Sequence, residues 1–265
     1  WGFSLDLATF DNPDREDVRA RTTLDATDLE RSAGDGFAET VAQVPGVQMS
    51  AGVTDTAKPI IRGHQERRLL VLYDGVRHES QKWGPDHGTE IDPFSAGQIS
   101  VIRGAAGARY GSDAMGGVIL VEPPPLRTEV GLGGKAMASF ISNGLRPYAA
   151  LRLDAVPENI EGLSMRLEGN FSRGATLSSP NYLLGNTASS TWNLGTTLGY
   201  NWDHGEIRAS WHHHDFRAGV FYGVKHGSPA DFQEQLLADK PVTSDLWSMS
   251  YKIDRAYQDV SHDRA

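Results

Sequence analysis

Strict alternation of apolar and polar residues is the feature that most limits how this chain can fold. Residues 163–172 read LSMRLEGNFS, residues 192–203 read WNLGTTLGYNWD, and residues 207–214 continue the same period of two. Successive side chains of a β-strand point to opposite faces, so each segment predicts a strand with one apolar and one polar face. Residues 151–154 also alternate and residues 128–142 give a weaker copy. The sequence therefore predicts five antiparallel strands.

The connections between these segments alternate in length. Tight turns are expected at Ser142-Asn143-Gly144 and at residues 203–205, AspHisGly, whereas longer polar stretches occupy residues 173–190 and 217–258. The two long stretches follow odd-numbered strands, so in an antiparallel meander they share one end of the sheet. Alternating segments of ~10 residues, aromatic strand ends, short turns on one side and long loops on the other are typical of a membrane β-barrel.

A soluble antiparallel sandwich is the alternative fold, because its strands alternate as well. In this chain the polar faces carry Arg, Glu, Asp and Asn, and the apolar faces end in Trp and Tyr, which favours the barrel. Five strands cannot close a barrel, since bacterial single-chain barrels start at ~8 strands. The barrel is therefore expected to be incomplete in this chain, with a sixth strand starting at SHDRA, residues 261–265.

The residues before the alternating region predict a small mixed α/β unit. Residues 28–44 have the spacing of one or two short helices. Four short apolar runs bounded by Gly, Asp or Pro follow and predict strands. These are residues 59–61, 69–73, 98–102 and 118–121. The predicted organisation is an N-terminal tail or linker at 1–21, the α/β unit at 22–125, and part of a transmembrane β-barrel at 126–265.

Composition and motifs count against several classes of function. The formal net charge of -9 argues against nucleic-acid binding, and the absence of cysteine excludes disulfides and thiolate metal sites. No Gly-x-Ser-x-Gly elbow occurs, and Gly134-Lys135-Ala136 lacks the spacing and the final residue of a phosphate loop. The sequence contains no run of ~18 apolar residues and no signal-peptide pattern at its start. An enzyme is therefore not expected.

A series of segments in the α/β unit resembles a known protein family. VAQVPGVQ, IIRG, LLVLYDGVR, EIDPF and ISVIRGAAGARYGSDAMGGVILVE occur in this order between residues 36 and 122. They resemble the plug domain of TonB-dependent outer-membrane receptors, which import siderophores, haem, cobalamin, metals or sugars. The resemblance extends over roughly residues 22–265, since antiparallel strands follow the plug in both. The plug motif residues are Pro45, Gly46, Gly63, Asp74, Gly75, Gly104, Tyr110, Gly111, Gly116 and Gly117.

The resemblance implies a location and a set of partners. It places the protein in the bacterial outer membrane, in contact with lipid, with the TonB energy-coupling protein and a small-molecule or metal-chelate cargo as partners. No convincing TonB box is found in residues 1–20, so coupling is implied by the resemblance alone. The expected function is uptake of a scarce nutrient, with an iron chelate such as a siderophore or haem as the expected cargo. The alternative is a soluble or secreted β-sheet binding module without transport.

Two arginines are implied to hold the plug in the barrel. By resemblance, Arg62 and Arg103, each followed by glycine at the end of a short strand, meet glutamates of the barrel wall. Bidentate guanidinium–carboxylate contacts suit an attachment that must be specific and releasable. We expect the two arginines to lie near each other and within ion-pair reach of acidic barrel residues. The alternative is that both form ordinary surface ion pairs.

Cargo is expected to bind between the plug apex and the external loops. A loop with these residues could bind a metal chelate, a bare metal ion or a sugar, and the alternative is a solvated loop with one packing tryptophan. The candidate residues are His64, Arg67, Trp83, Asp86, His87 and Glu90.

The run His212-His213-His214 ends the fifth predicted strand. Alternation puts His212 and His214 on the polar face and His213 on the apolar face, so the first two could share a transition metal or contact haem iron. The alternative is that they form hydrogen bonds to loop backbone. No resident cofactor is implied, and any metal chelate or metal ion would be cargo.

Overall fold

The computed structural model describes residues 21–50, 56–82, 87–221, 223, 228–241, 244, 247–253 and 257–265. The tail predicted at 1–21 lies outside these residues except for Arg21. Three α-helices are described: α1 (Ala26–Arg31), α2 (Phe37–Val41) and α3 (Pro229–Leu237). The first seven strands are β1 (Arg21–Leu24), β2 (Val47–Met49), β3 (Pro59–Ile61), β4 (Leu69–Tyr73), β5 (Val76–His78), β6 (Gln98–Arg103) and β7 (Gly117–Glu122).

The N-terminal α/β unit, residues 21–122, is called the plug unit below. Its main sheet has the order β1-β6-β7-β4-β5, in which only β4 and β7 run parallel. Strand β4 reads LLVLY and is covered on both faces, as a continuous apolar run predicts. Its Leu69 and Val71 are fully buried with Ile99 and Ile119. The observed strands β3, β4, β6 and β7 agree with the predicted runs within one residue at each end.

The first Arg-Gly pair and the Asp-Gly pair of the motifs each form a tight turn in the plug unit. Asp74 and Gly75 join β4 to β5 and have φ of 49° and 76°, the two-residue turn with both angles positive that matches the twist of a hairpin. Arg62 and Gly63 have φ of 52° and 76°, and Ile61 and His64 exchange two backbone hydrogen bonds across them. Glycine at the second position adopts this backbone with little cost.

The C-terminal residues form a second sheet, called the wall sheet below. Its strand order is β8-β9-β10-β13-β14-β15, and every pair is antiparallel, as predicted for a meander. The short pair β11 (Leu177–Ser178) and β12 (Leu183–Leu184) lies in the connection between β10 and β13. The wall strands are β8 (Gly131–Ile141), β9 (Arg146–Val156), β10 (Leu163–Gly174), β13 (Ser189–Trp202), β14 (Gly205–Gly219) and β15 (Tyr257–Arg264).

The prediction of five strands was one too few. A sixth strand, β15, pairs with β14 from His212–Arg264 to Gly219–Tyr257, whereas the sequence predicted only the start of a strand at residues 261–265. The stretch predicted as a long polar segment at 217–258 also contains the end of β14 and helix α3. Strand β15 was missed because YQDVSHDR is polar on both faces and shows no apolar alternation.

The two faces of the wall sheet differ in chemistry. The face that meets the plug unit carries buried polar residues such as Arg152, Arg166 and Glu168. The opposite face, called the outward face below, presents Leu167 and Leu198, each 50% exposed. A soluble sandwich would bury these leucines between two sheets. The fold is therefore a plug domain packed against barrel strands, and the barrel is not closed within this chain.

Two tryptophans on the outward face are spaced as membrane-interface residues are. Trp192 and Trp202 lie at the two ends of β13 and are both largely exposed. Ten residues at ~3.4 Å per residue separate them by ~34 Å along the strand. With the usual strand tilt of ~40°, the separation along the membrane normal is ~25 Å, the height of a barrel's apolar band. Among the described residues, no helix is both long and apolar enough to cross a membrane.

Candidate functional site

The contact between plug unit and wall sheet is centred on a buried ion pair. Arg152 of β9 contacts Glu168 of β10 at 2.8 Å, and their side chains are only 9% and 6% exposed. Arg152 also donates to the backbone oxygen of Phe94 in the plug unit, and its guanidinium lies 5.0 Å from the Phe94 ring centroid. A buried ion pair is strongly destabilised when one partner is removed, because the other charge stays uncompensated. This pair therefore couples the wall sheet to the plug unit.

A second buried arginine holds the chain where it leaves the plug unit. Arg166 of β10 pairs with Asp154 of β9 at 2.7 Å. Its two terminal nitrogens donate to the backbone oxygens of Pro124 and Pro125 at 2.7 and 2.8 Å. Proline has no N–H and a fixed φ, so this segment cannot join the ladder of β7 and is stiff. Arg166 thus fixes the exit of the chain against the wall sheet.

The Asp-Gly turn contacts the wall sheet directly. Asp74 accepts from Arg208 of β14 at 3.2 Å, so the residue that makes the turn also makes an ion pair. Asp92 accepts a hydrogen bond from Asn170 of β10, which in turn accepts from Asn193 at 2.9 Å. These contacts place the plug unit at one position on the wall sheet.

Imidazoles from both units surround the buried carboxylate of Glu90. His87 of the plug unit lies 3.3 Å from one carboxylate oxygen, and His262 of β15 contacts the other. Glu90 is only 4% exposed at its side chain. A cavity of about 240 Å³ lies beside it, between the plug unit and the wall sheet. Its lining includes His78, His212, His214, His262, Glu168 and Arg264.

His78 is a buried imidazole of this cavity that stays neutral. Burial, together with the nearby Arg264 guanidinium and the His214 and His262 imidazoles, lowers its pKa to about 3. Its Nε2 lies 2.8 Å from the Ser80 hydroxyl, which donates to the Gly88 backbone oxygen at 3.1 Å. His78 therefore acts as a hydrogen-bonding side chain of the plug unit rather than as a charged one.

The Arg62 side chain lies beside Gly104, the residue that follows Arg103. Arg62 Nη1 lies 3.0 Å from the position that a Cβ on Gly104 would occupy. Arg103 donates to the Pro45 backbone oxygen at 2.5 Å and to the Thr22 hydroxyl at 2.7 Å. Within the described residues neither arginine forms an ion pair with a wall strand. Their role in holding the plug in a complete barrel stays a prediction.

The predicted cargo residues that the structure describes lie in different surroundings. His64 packs against Gly116, where a Cβ would lie 2.3 Å from the His64 Cβ, and its Nδ1 is buried without a hydrogen-bond partner in the described structure. Arg67 is exposed. Glu90 lines the cavity and contacts His262 of the wall sheet, and His87 contacts Glu90. Trp83 and Asp86 lie outside the described residues, and cargo contact stays a prediction for all six residues.

The histidine run alternates as predicted. His212 packs edge-on against Tyr73 with ring centroids 5.3 Å apart, and His214 Nδ1 lies 2.6 Å from Asn193 Oδ1, both on the plug side. His213 lies on the outward face, 4.4 Å from the Trp192 ring centroid. Within the described residues, no group of three His, Cys, Asp or Glu side chains is arranged to hold a metal ion. Metal binding by His212 and His214 stays a prediction.

The residues that join the two units were not predicted from the sequence. Arg152, Glu168, Arg166 and Asp154 all lie at alternate positions on the polar faces of two predicted strands. Two opposite charges at facing positions of neighbouring strands are a usable signal for an ion pair. Their contacts with Phe94 and the prolines could not be read from the sequence, because they depend on how the two units dock.

Comparisons with known proteins agree with this architecture. Residues 13–118 match the family described as TonB-dependent Receptor Plug Domain. The chain is 28% identical over 169 residues to the vitamin B12 transporter BtuB of Photobacterium profundum, covering 60% of this chain and 28% of that protein. It is 37% identical over 86 residues to a hemin receptor of Yersinia pestis, covering 32% of this chain and 13% of that protein.

A solved structure shows the same fold. A ferric enterobactin receptor mutant from Pseudomonas aeruginosa aligns with a TM-score of 0.61 at 18% identity, over 84% of this chain and 36% of that one. The chain thus spans roughly a third of that structure and 28% of the first relative.

Proposed function

We propose that the protein takes up a scarce nutrient across the bacterial outer membrane. Residues 13–118 match the plug-domain family of TonB-dependent receptors, and the relatives include a vitamin B12 transporter and an iron-regulated outer membrane virulence protein. Cargo binds at the external face and passes the plug unit to the periplasm. The TonB energy-coupling protein supplies the drive for that step. The main support for this proposal is that the plug unit is held on the polar face of a sheet whose other face is apolar.

The chemistry of the interface supports a plug that can be displaced. The plug unit and the wall sheet meet through hydrogen bonds and ion pairs, such as Arg208–Asp74 and Arg166 with the two proline oxygens. When the interface opens, its polar groups can form hydrogen bonds with water in place of those they lose. An apolar interface would instead expose apolar surface to water, with no compensating interaction. Such an interface suits a plug that seals a pore at rest and moves for cargo.

We propose an iron chelate, such as a siderophore or haem, as the cargo. The relatives and the solved structure include receptors named for hemin and for ferric enterobactin, although another is named for vitamin B12. The cavity between the plug unit and the wall sheet is lined by imidazoles and carboxylates, including His78, His262 and Glu90. These groups suit a polar metal complex.

Growth of a deletion strain tests this proposal. Cells that lack the gene should fail to grow in iron-depleted medium with hemin or a ferric siderophore as the iron source, and the full-length gene should restore growth. Growth on a readily permeating iron salt provides the control. Normal growth of the deletion strain on every chelate, with loss of growth on cobalamin instead, would exclude the iron-chelate cargo and keep the receptor class.

Detergent dependence tests the membrane location separately. The outward leucines and tryptophans predict that the full-length protein is extracted only by detergent and aggregates when detergent is removed. A protein that stays monomeric in buffer alone would favour the soluble binding module instead.

A further inference from the structure

A row of charged residues crosses the outward face of the wall sheet at the end of its strands. Arg173 of β10 lies opposite Ser190 of β13, Ser190 lies opposite Arg217 of β14, and Arg217 lies opposite Asp259 of β15. The next row toward the middle of the sheet is Phe171, Trp192 and Asp215 in the same order. The charged row thus lies one step beyond an aromatic row.

The position of this row places it at the level of lipid headgroups. Trp192 and Trp202 bracket an apolar band of ~25 Å, and tryptophan concentrates at the boundary between acyl chains and headgroups. Arg173 lies two residues beyond Phe171, which faces Trp192 across the strands, so its guanidinium lies outside the acyl region. The long connections leave the sheet at this same end, which in barrels of this type is the external side.

Lys252 adds a third cation to this row, from the segment of residues 247–253 that precedes β15. Thr176 exchanges hydrogen bonds with Ser250, and the Tyr251 hydroxyl donates to the Leu145 backbone oxygen at 2.7 Å. The Arg173 guanidinium lies 5.7 Å from the centroid of the Tyr251 ring. Lys252 follows directly, so several fixed contacts hold this segment over the outward rim.

The side chains of this row and of residues 251–253 line a cavity that is open to the surface. Its volume is about 540 Å³, and its lining includes Phe171, Arg173, Ser190, Arg217, Tyr251 and Lys252. Arg217 pairs with Asp259 at 2.6 Å, whereas no described carboxylate lies within ion-pair distance of Arg173 or Lys252. The described lining therefore combines three cations, three hydroxyl-bearing residues and the apolar Phe171 and Ile253, with Asp259 as the partner of one cation.

We propose that this cavity binds the phosphate group of an anionic lipid in the external leaflet. The guanidinium fork of Arg173 matches two phosphate oxygens, and the Lys252 ammonium adds a point charge. Ser190 supplies a hydroxyl donor, and Phe171 meets the start of the acyl chains below. Clusters of basic side chains next to a membrane surface bind anionic headgroups in this way. A free phosphate would use the same cations but would leave Phe171 without a partner.

Binding of short-chain lipids to the full-length protein in a maltoside detergent tests the site. Isothermal titration compares dihexanoyl phosphatidic acid, dihexanoyl phosphatidylcholine and inorganic phosphate. We expect phosphatidic acid to bind about tenfold more tightly than either of the others, with an affinity that falls as salt is added. The measurement requires no transport, so it is independent of the uptake proposal.

Charge-removing variants locate the binding. Arg173→Gln combined with Lys252→Gln should weaken phosphatidic acid binding about tenfold or more. The control, Arg31→Gln combined with Lys240→Gln, removes the same charge at exposed positions elsewhere and should bind as the parent does. Lys252→Gln alone lies in a surface segment and gives a smaller loss should the double variant misfold.

Two results would overturn the proposal. Equal affinity for phosphatidic acid in the parent and in both charge-removing variants would show that these cations take no part. Inorganic phosphate binding as tightly as phosphatidic acid would assign the cavity to free phosphate rather than to a lipid.

Discussion

Single buried charges hold the plug unit against the wall sheet. Glu168 is the sole described carboxylate in ion-pair contact with Arg152, and Arg152 in turn holds the Phe94 backbone oxygen. Loss of the Glu168 carboxylate would leave the Arg152 cation buried at the interface without a partner, whereas loss of an exposed carboxylate changes stability little. The energetic weight of the interface therefore rests on few residues.

Glu168→Gln should loosen the plug unit locally. We expect the free energy of local opening around residues 91–96 to fall by about 3 kcal/mol, because the Arg152 charge loses its partner. Amide hydrogen exchange in the full-length protein measures this opening. Glu158→Gln, in an exposed turn, is the matched control. Unchanged protection in Glu168→Gln would mean that Arg152 finds another partner.

His78 predicts a dependence of plug stability on pH. Burial holds its folded-state pKa at about 3, below the ordinary value of 6.5, so the unfolded plug takes up a proton in the window between them. Above pH 6.5, His78 is neutral in both states and does not lower the free energy of unfolding. As the pH falls from 6.5 toward 3, protonation of the unfolded state lowers that free energy by up to ~1.4 kcal/mol per pH unit. Between pH 7 and 4, the unfolding temperature of the plug should fall less in His78→Gln than in the parent. His204→Gln, at an exposed turn, should follow the parent, and identical curves for all three proteins would contradict the assignment.

For individual side chains, the sequence predicted which face of the sheet they occupy better than it predicted what they contact. Alternation put Arg152 and Glu168 on the polar face and His213 on the apolar one, as observed. It could not show that Glu90 meets His262, because those residues come from different units. Contacts of this kind depend on docking, which no local pattern encodes.

Among the elements, strands with a clear apolar face were predictable and the polar one was not. β10, β13 and β14 alternate without interruption, whereas β15 places Asp259 and Asp263 on its outward face. The β4–β5 hairpin was predictable from its Asp-Gly pair, because both central residues need positive φ. Strand β15 is held by its pairing with β14, which is visible only in the folded chain.

Leu198→Arg tests the assignment of the outward face of β13 to lipid. Leu198 lies near the midpoint between Trp192 and Trp202, and an arginine at the bilayer midplane costs ~2–4 kcal/mol. The folded fraction of the full-length protein in bilayers, measured by heat-modifiable electrophoretic mobility, should fall accordingly. Leu236→Arg, on exposed helix α3, should fold as the parent does. Equal folding of both variants would mean that Leu198 does not face lipid.

For the molecule as a whole, the docking of the plug unit can be checked directly because the chain contains no cysteine. Asp74→Cys with Arg208→Cys should be joined efficiently by a short bis-maleimide in the full-length protein, since the native side chains lie 3.2 Å apart. Asp113→Cys with Arg208→Cys is the control, because Asp113 contacts Arg77 and Lys82 instead. Equal yields for both pairs would show that the plug unit sits elsewhere.

Strand β1 also determines how the plug unit responds to mechanical load. It is one of the two edge strands of its sheet and pairs with β6 over only four residues, from Arg21–Ile102 to Leu24–Ile99. The side chains of Thr22 and Thr23 fasten it further, to Arg103 and Ser100. Tension applied ahead of Arg21 would reach this seam before any other part of the sheet. The pairing of β1 with β6 would break first, and the largely buried strands β4 and β7 would stay paired until it had broken.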